Sequence, residues 1–186
     1  VVNKATKQAV ALPGQSSLGD PNPKFNMSFI NNLQYKGIVT FNMQWDWVAG
    51  AHMYNQTKQW MYRDGIHSDY DIPVTINGET QAFTSFYRSM YAGGAANGTK
   101  NYFYEDASFW RLRNLSVGLD IAKLTKIKFA NRLQLVLSGR NLLTFTPYSG
   151  MDPEVNYSTN SAFDRGLDHN TIPNTKSYTV GLNVGF

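Results

Sequence analysis

The sequence predicts an all-β chain, an antiparallel meander of about five strands suited to the wall of a transmembrane β-barrel and carrying long outer loops. Three observations lead there. Apolar residues recur at every second position over stretches of about ten residues, near the ~9–11 that a tilted membrane-crossing strand requires and longer than the ~5–6 of an ordinary strand. The alternate positions hold mostly Asn, Gln, Ser, Thr and Gly, with few charges, which suits a wet lumen. Short and long connections alternate along the chain, as in barrels with tight turns on one side and large loops on the other.

Residues 1–24 read as a loop, with turn formers at Pro13-Gly14, Gly19-Asp20-Pro21 and Pro23. Phe25, Met27, Phe29, Leu33 and Tyr35 then set the first strand. The second carries Val39, Phe41, Met43, Trp45 and Trp47 against Thr40, Asn42, Gln44 and Asp46. Opposed residues share a face, so paired numbers in this hairpin must sum to an even value. A three-residue turn, Lys36-Gly37-Ile38, pairs Tyr35 with Val39 and satisfies that, with Gly37 at a positive-φ position.

Residues 50–106 break the alternation. Tyr54 to Tyr62 suits a short helix bearing Lys58, and turn signals follow at Asp64-Gly65, Pro73, Asn77-Gly78, Gly93-Gly94 and Asn97-Gly98. So long an aromatic-rich loop points to function. Alternation returns at Leu115, Val117, Leu119 and Ile121. Just upstream, Trp110 and Leu112 are out of phase, which either a bulge near Arg113-Asn114 or an end of the apolar environment there would explain. A basic linker, 122–131, leads to Leu133, Leu135, Leu137 and Leu143. A polar loop, 146–174, precedes the last strand, with Tyr178, Val180, Leu182, Val184 and Phe186 on one face.

Composition narrows the function classes. The 186 residues include no Cys, so disulfides, thiolate metal sites and a Cys nucleophile are excluded. No apolar run approaches the ~18 residues of a helical span. Lys and Arg are scattered despite a net charge of +4, which argues against nucleic acid. Neither a G-x-S-x-G elbow nor a phosphate loop occurs, and no cofactor is expected. Val1-Val2-Asn3-Lys4 opens no signal peptide and the chain starts without Met, so a fragment of something longer is expected. If the chain ends in the periplasm, both long loops fall outside, with Trp45, Trp47 and Tyr178 at the outer rim and Tyr35 and Phe186 at the other. Five strands cannot close a barrel, whose smallest type uses about eight. The competing reading is a soluble β-sandwich that binds carbohydrate on the aromatic loop.

Five motifs in order resemble the C-terminal part of SusC/RagA-type TonB-dependent outer-membrane transporters of Bacteroidetes. They are Leu18-Gly19-Asp20-Pro21-Asn22-Pro23-Lys24-Phe25; Phe109-Trp110-Arg111-Leu112-Arg113-Asn114-Leu115-Ser116-Val117-Gly118; Ser138-Gly139-Arg140-Asn141-Leu142-Leu143-Thr144-Phe145-Thr146; Tyr148-Ser149-Gly150-Met151-Asp152-Pro153-Glu154-Val155; and Ile172-Pro173 with Lys176 through Phe186. Ile172, Thr175 and Lys176 depart from residues common in that family. The resemblance implies the last five or so strands of a 22-stranded barrel whose N-terminal plug and TonB-contacting segment lie elsewhere. It implies a SusD-type lipoprotein lid, import of oligosaccharides or peptides driven through TonB, and no enzymatic step. Tyr178, Val180, Leu182, Val184 and Phe186 resemble the signal read by the barrel-assembly machinery, with Phe186 as the natural C-terminus. On this reading 1–24, 50–106 and 145–174 are extracellular loops, 25–49 and 107–144 are hairpins, and 175–186 is the closing strand.

The candidate contacts to ligand or lid are Trp60, Tyr62, Tyr70, Phe86, Tyr87, Tyr102 and Trp110; the same rings equally suit a private core of the loop. Arg132, Gln134 and Arg140 face the expected lumen, where they line a solute path or pair with acids from elsewhere. Asp64, Asp69 and Asp71, with His67, read as a solvated acidic loop; their alternating oxygen donors also suit Ca²⁺ but lack the full EF-hand pattern, and no metal is expected. His52 and His169 read as isolated surface residues.

Overall fold

The computed structural model describes residues 1–11, 14, 17–92, 100–126, 130–158 and 165–185. Phe186 and the turn signals Pro13, Gly93-Gly94 and Asn97-Gly98 lie outside the described residues. The chain divides into two compact units, each assembled from three stretches.

One unit, 23–50, 108–147 and 173–186, is the expected sheet. Its strands are β1 (Phe25–Tyr35), β2 (Val39–Ala49), β3 (Phe109–Asp120), β4 (Arg132–Phe145) and β5 (Ser177–Gly185). Each pairs antiparallel with its sequence neighbour, in the order β5-β4-β3-β2-β1. The first turn is the three-residue one, with Tyr35 opposite Val39 and Gly37 at φ 66°; Lys36 joins it in the left-handed region at 49°. A single register then carries apolar rows across the sheet: Leu33-Phe41-Val117-Leu137-Val180, and beside it Tyr35-Val39-Leu119-Leu135-Leu182. The opposite face carries Asn32-Asn42-Ser116-Ser138-Thr179. The apolar face is uncovered, with Leu33 at 60%, Val180 at 72% and Tyr178 at 77% exposed while Val39, Phe41, Leu119 and Leu135 are half-buried, which is not the covered inner face of a sandwich. Among the described residues β1 and β5 each have one neighbour, so each leaves a row of backbone donors and acceptors open.

The bulge falls where the phase slips. Gln44 faces Asn114 and Trp45 faces Leu112, which leaves Arg113 as the extra residue. On the other side Arg140 faces Asn114 and Leu143 faces Leu112, with Asn141 at φ 52°. The insertion turns Trp110 onto the apolar face, where it pairs with Trp47 and stacks on it at 4.9 Å between ring centroids. Phe25, Trp45 and Phe145 complete this aromatic band. Tyr178 sits in register with Met43, two residues nearer the turn end than Trp45, a departure from the level expected. The linker after β3 is partly helical, over Ile121–Thr125, because the Asp120 carboxylate accepts from the Lys123 amide.

The other unit, 1–22, 51–107 and 148–172, holds more structure than its sequence suggests. Helix α1 (Gln56–Asp64) starts later than expected because Tyr54 lies in the strand His52–Asn55 and Asn55 caps the Lys58 amide. It ends at Gly65, whose φ of 70° lets its amide return to the last turn. A second helix, α2 (Thr84–Ala92), was not legible as such. His52–Asn55 pairs with Tyr104–Asp106 and, in parallel, with Leu167–Asp168. Val74–Ile76 and Glu79–Gln81 form a hairpin whose Asn77-Gly78 turn has positive φ at both residues. Residues 1–24, expected as loop, include the small hairpin Val2–Asn3 with Gln8–Ala9.

Candidate functional site

The core of this second unit is aromatic. Tyr62, Tyr87, Met90 and Phe103 are buried together, with Tyr70, Phe86 and Tyr54 packed against them. Tyr62 is the hub. It projects from α1 and meets Phe103 edge-on at 5.2 Å, with Tyr70, Tyr87 and Tyr102 within 6.2 Å. Its hydroxyl donates to the Asp69 carboxylate and lies 2.9 Å from the Tyr102 hydroxyl, which is itself 3.3 Å from Asp69. The Tyr70 hydroxyl donates to the Tyr62 carbonyl at 2.6 Å, and that of Tyr87 to the Ile72 carbonyl at 2.7 Å. These polar tips are therefore satisfied inside an apolar cluster.

The electrostatics follow from burial. Burial pushes the Tyr62 hydroxyl far above the usual tyrosine range, and the hydrogen bond to Asp69 adds to it. Burial lowers His67 and nearby Lys58 adds to that, against the attraction of Asp69 and Glu105. Its Nδ1 accepts from the Asp69 amide at 3.1 Å, which requires the neutral ring. Burial alone pushes Tyr54 up to about 12.

The seven proposed contact rings separate. Tyr62, Tyr70, Tyr87 and Tyr102 come together with Phe86 beside them, Tyr62 and Tyr87 inside and Tyr102 at the surface. Trp60 stands in a different group, edge-on to His169 at 4.5 Å, with the Arg63 guanidinium 5.2 Å from its ring. Tyr157 also stacks on His169, at 4.6 Å. Trp110 is not in this unit at all, because the bulge assigns it to the aromatic band of the sheet. His52 and His169 are thus not isolated: His52 stacks on Tyr104 at 5.8 Å. No local signal marks His169 or Tyr157, which lie about a hundred residues from Trp60.

The acidic cluster disperses. Arg63 binds the Asp64 carboxylate and holds it below the usual carboxylate range, Asp69 faces the tyrosines, and Asp71 ends a 3₁₀ turn. Among the described residues no three His, Asp or Glu side chains converge as metal ligands.

On the polar face of the sheet, Arg132 donates to Gln134 at 2.6 Å and Arg140 stands exposed. Arg132 and Gln134 border a cavity of about 250 Å³ at the turn end, with Lys123, Asp120, Thr40 and Gln34. At the other end the bulge places Arg113 against Asp46 at 2.7 Å; Asp46 also accepts from Ser28 and Gln44. This three-strand network was not foreseen, since the bulged register alone brings Arg113 to that face.

The chain is similar in sequence to curated relatives. TonB-dependent receptor P3 of Formosa agariphila is 34% identical over 174 residues, covering 91% of this chain and 17% of the relative. Receptor P39 of the same organism is 36% identical over 104 residues, 54% of this chain and 10% of the relative. Receptor P26 is 27% identical over 176 residues, 91% of this chain and 18% of the relative. The chain therefore spans less than a fifth of the relatives it matches. Among solved structures, the RagAB peptide importer in its open-open state aligns with a TM-score of 0.69 at 21% identity, covering all of this chain and 21% of that one. The closed-closed state gives 0.64 at 18% identity, covering all of this chain and 22% of that one. At such identities the likeness establishes the fold. No protein-family model matches the chain.

Proposed function

Because the chain belongs to the TonB-dependent receptors of the SusC/RagA type, we propose that it supplies adjoining wall strands and large extracellular loops of an outer-membrane nutrient importer. One observation carries this reading: a five-stranded sheet whose apolar face is bare and whose two edges are open. In water such a face and such edges invite aggregation. In lipid the face is at home and only the edges need partners, because unpaired backbone groups there cost several kcal/mol each. Further strands of a larger barrel meet that need. The chain's own five strands are then the last five of 22, with 25–49 and 107–144 as hairpins, 175–186 as the closing strand and 1–24, 50–106 and 145–174 on the outside.

In this mechanism the chain performs no chemistry. Trp60 and Tyr102 offer rings to an oligosaccharide, a peptide or a SusD-type lipoprotein lid, while Tyr62, Tyr70, Phe86 and Tyr87 fix the scaffold behind them. Arg132, Gln134 and Arg140 line the solute path. TonB acts through a part of the receptor outside these residues, and the barrel-assembly machinery reads Tyr178, Val180, Leu182, Val184 and Phe186. Aromatic surface favours a sugar as cargo, whereas the RagAB neighbours are peptide importers. Deleting the gene of the full-length receptor and measuring growth and uptake on defined oligosaccharides and peptides tests the proposal. Uptake of one class is expected to be lost with the gene, to return when the gene is restored, and to be lost again without TonB. Unchanged uptake of both classes would refute it.

A further inference from the structure

The two long connections of the sheet are not separate loops. A seam joins them, and it is built from backbone as well as side chains. Leu167–Asp168 pairs in parallel with Tyr54–Asn55, and the Tyr54 amide donates to the Gly166 carbonyl at 2.7 Å. Asp168, 4% exposed, accepts from Thr57 Oγ1 at 2.9 Å across the seam and from the Tyr148 hydroxyl at 2.8 Å on its own side. Thr57 Oγ1 in turn accepts from the Asn170 amide at 2.8 Å. Glu105 accepts from the Ser149 amide and from its hydroxyl across the seam, both at 2.8 Å, and Lys58, on the same connection as Glu105, pairs with it. The leading segment is fastened to the same body: the His52 amide donates to the Asp20 carbonyl at 2.9 Å, and the Ala9 amide to Ser89 Oγ at 2.7 Å.

We infer that these three stretches act as one clamped body and that the two long connections do not part during transport. Parting them would strip a buried carboxylate of a donor, break a strand pairing and separate Trp60 from His169 at the same time. Such coupled losses make opening all-or-none rather than loop by loop. A cargo therefore enters past this body, never between its halves. The clamp stands on the geometry alone; its consequence for transport rests on the importer reading.

Two measurements on the full-length receptor separate these. In hydrogen exchange, the amides of Tyr54, Ser149 and Asn170 are expected to share one protection factor within about threefold, and Asp168→Asn to lower all three alike. The Ser149 and Asn170 amides exchanging about a hundredfold faster than that of Tyr54 would overturn the clamp, whatever the receptor carries. In the second measurement, Tyr54→Cys with Leu167→Cys joins the two connections by a disulfide. Uptake by the oxidised pair within twofold of the reduced pair supports the inference; a tenfold loss restored by reductant, or failure of the pair to oxidise, counts against it. If the unmodified receptor takes up none of the tested solutes, the importer reading fails while the exchange result still decides the clamp.

Discussion

Replacing Tyr62 by Phe probes the hub of the aromatic unit with the least change of shape. The ring, fully buried, keeps its edge contacts to Phe103, Tyr70 and Tyr87. What is lost is the donor to the Asp69 carboxylate and its link to Tyr102. A hydrogen bond to a charged group contributes about 1.5–3 kcal/mol. Tyr102, already 3.3 Å from Asp69, can take over part of that task, which puts the net cost near 2 kcal/mol. At about 1.4 kcal/mol per factor of ten, the open population rises about 30-fold. Cleavage follows that population when closing outpaces the protease. Limited proteolysis of the full-length receptor in outer membranes should therefore cut 50–106 about 30 times faster in the variant. Adding Asp69→Asn should cost little further, since the two groups form one interaction. A rate within twofold of the parent would refute the claim that this hydrogen bond supports the unit.

Three further outcomes are expected. Because His67 is held below its usual value, its folded form resists protonation; the stability it contributes is complete above the unfolded value of about 6.5 and falls as the pH drops through the lowered folded one. Protease sensitivity of 50–106 should rise on going from pH 7.5 to 5, and His67→Gln should flatten that rise. Leu137→Arg, on the apolar face, should cost about 2–4 kcal/mol in lipid and reduce folded receptor on heat-modifiability gels, whereas Ser138→Asn on the opposite face should leave it unchanged. Deleting Phe186 should lower the amount of receptor reaching the outer membrane, measured by immunoblot against an internal barrel standard.

The alternation of side chains is a local property, and so the strands were legible. Period two, read with the parity of opposed residues, gave the five strands and the three-residue turn at Gly37. It also located the bulge at Arg113, since an extra residue is visible as a phase slip in a single strand. The consequence of that bulge was not legible. Whether Trp110 joins the ligand-facing rings or the aromatic band depends on which residue of β2 it meets, and that is fixed by hydrogen bonds between β2 and β3, strands sixty residues apart in sequence.

The loop residues show the same division more sharply. Sequence put a helix at α1 and a turn at Asn77-Gly78, because caps and positive-φ residues act within a few positions. It left Tyr62 and Trp60 equivalent, two aromatic residues on one short helix. Only the folded unit distinguishes them: Tyr62 turns toward Phe103 and Asp69, while Trp60 meets His169, which arrives from another connection. Strand periodicity and composition are thus determined by the chain alone, since the pleat forces alternate residues to opposite faces. Which ring is core, which carboxylate is paired and which loops are joined were decided by tertiary structure, because burial and hydrogen-bond partnership arise between segments whose sequence separation carries no record of their meeting.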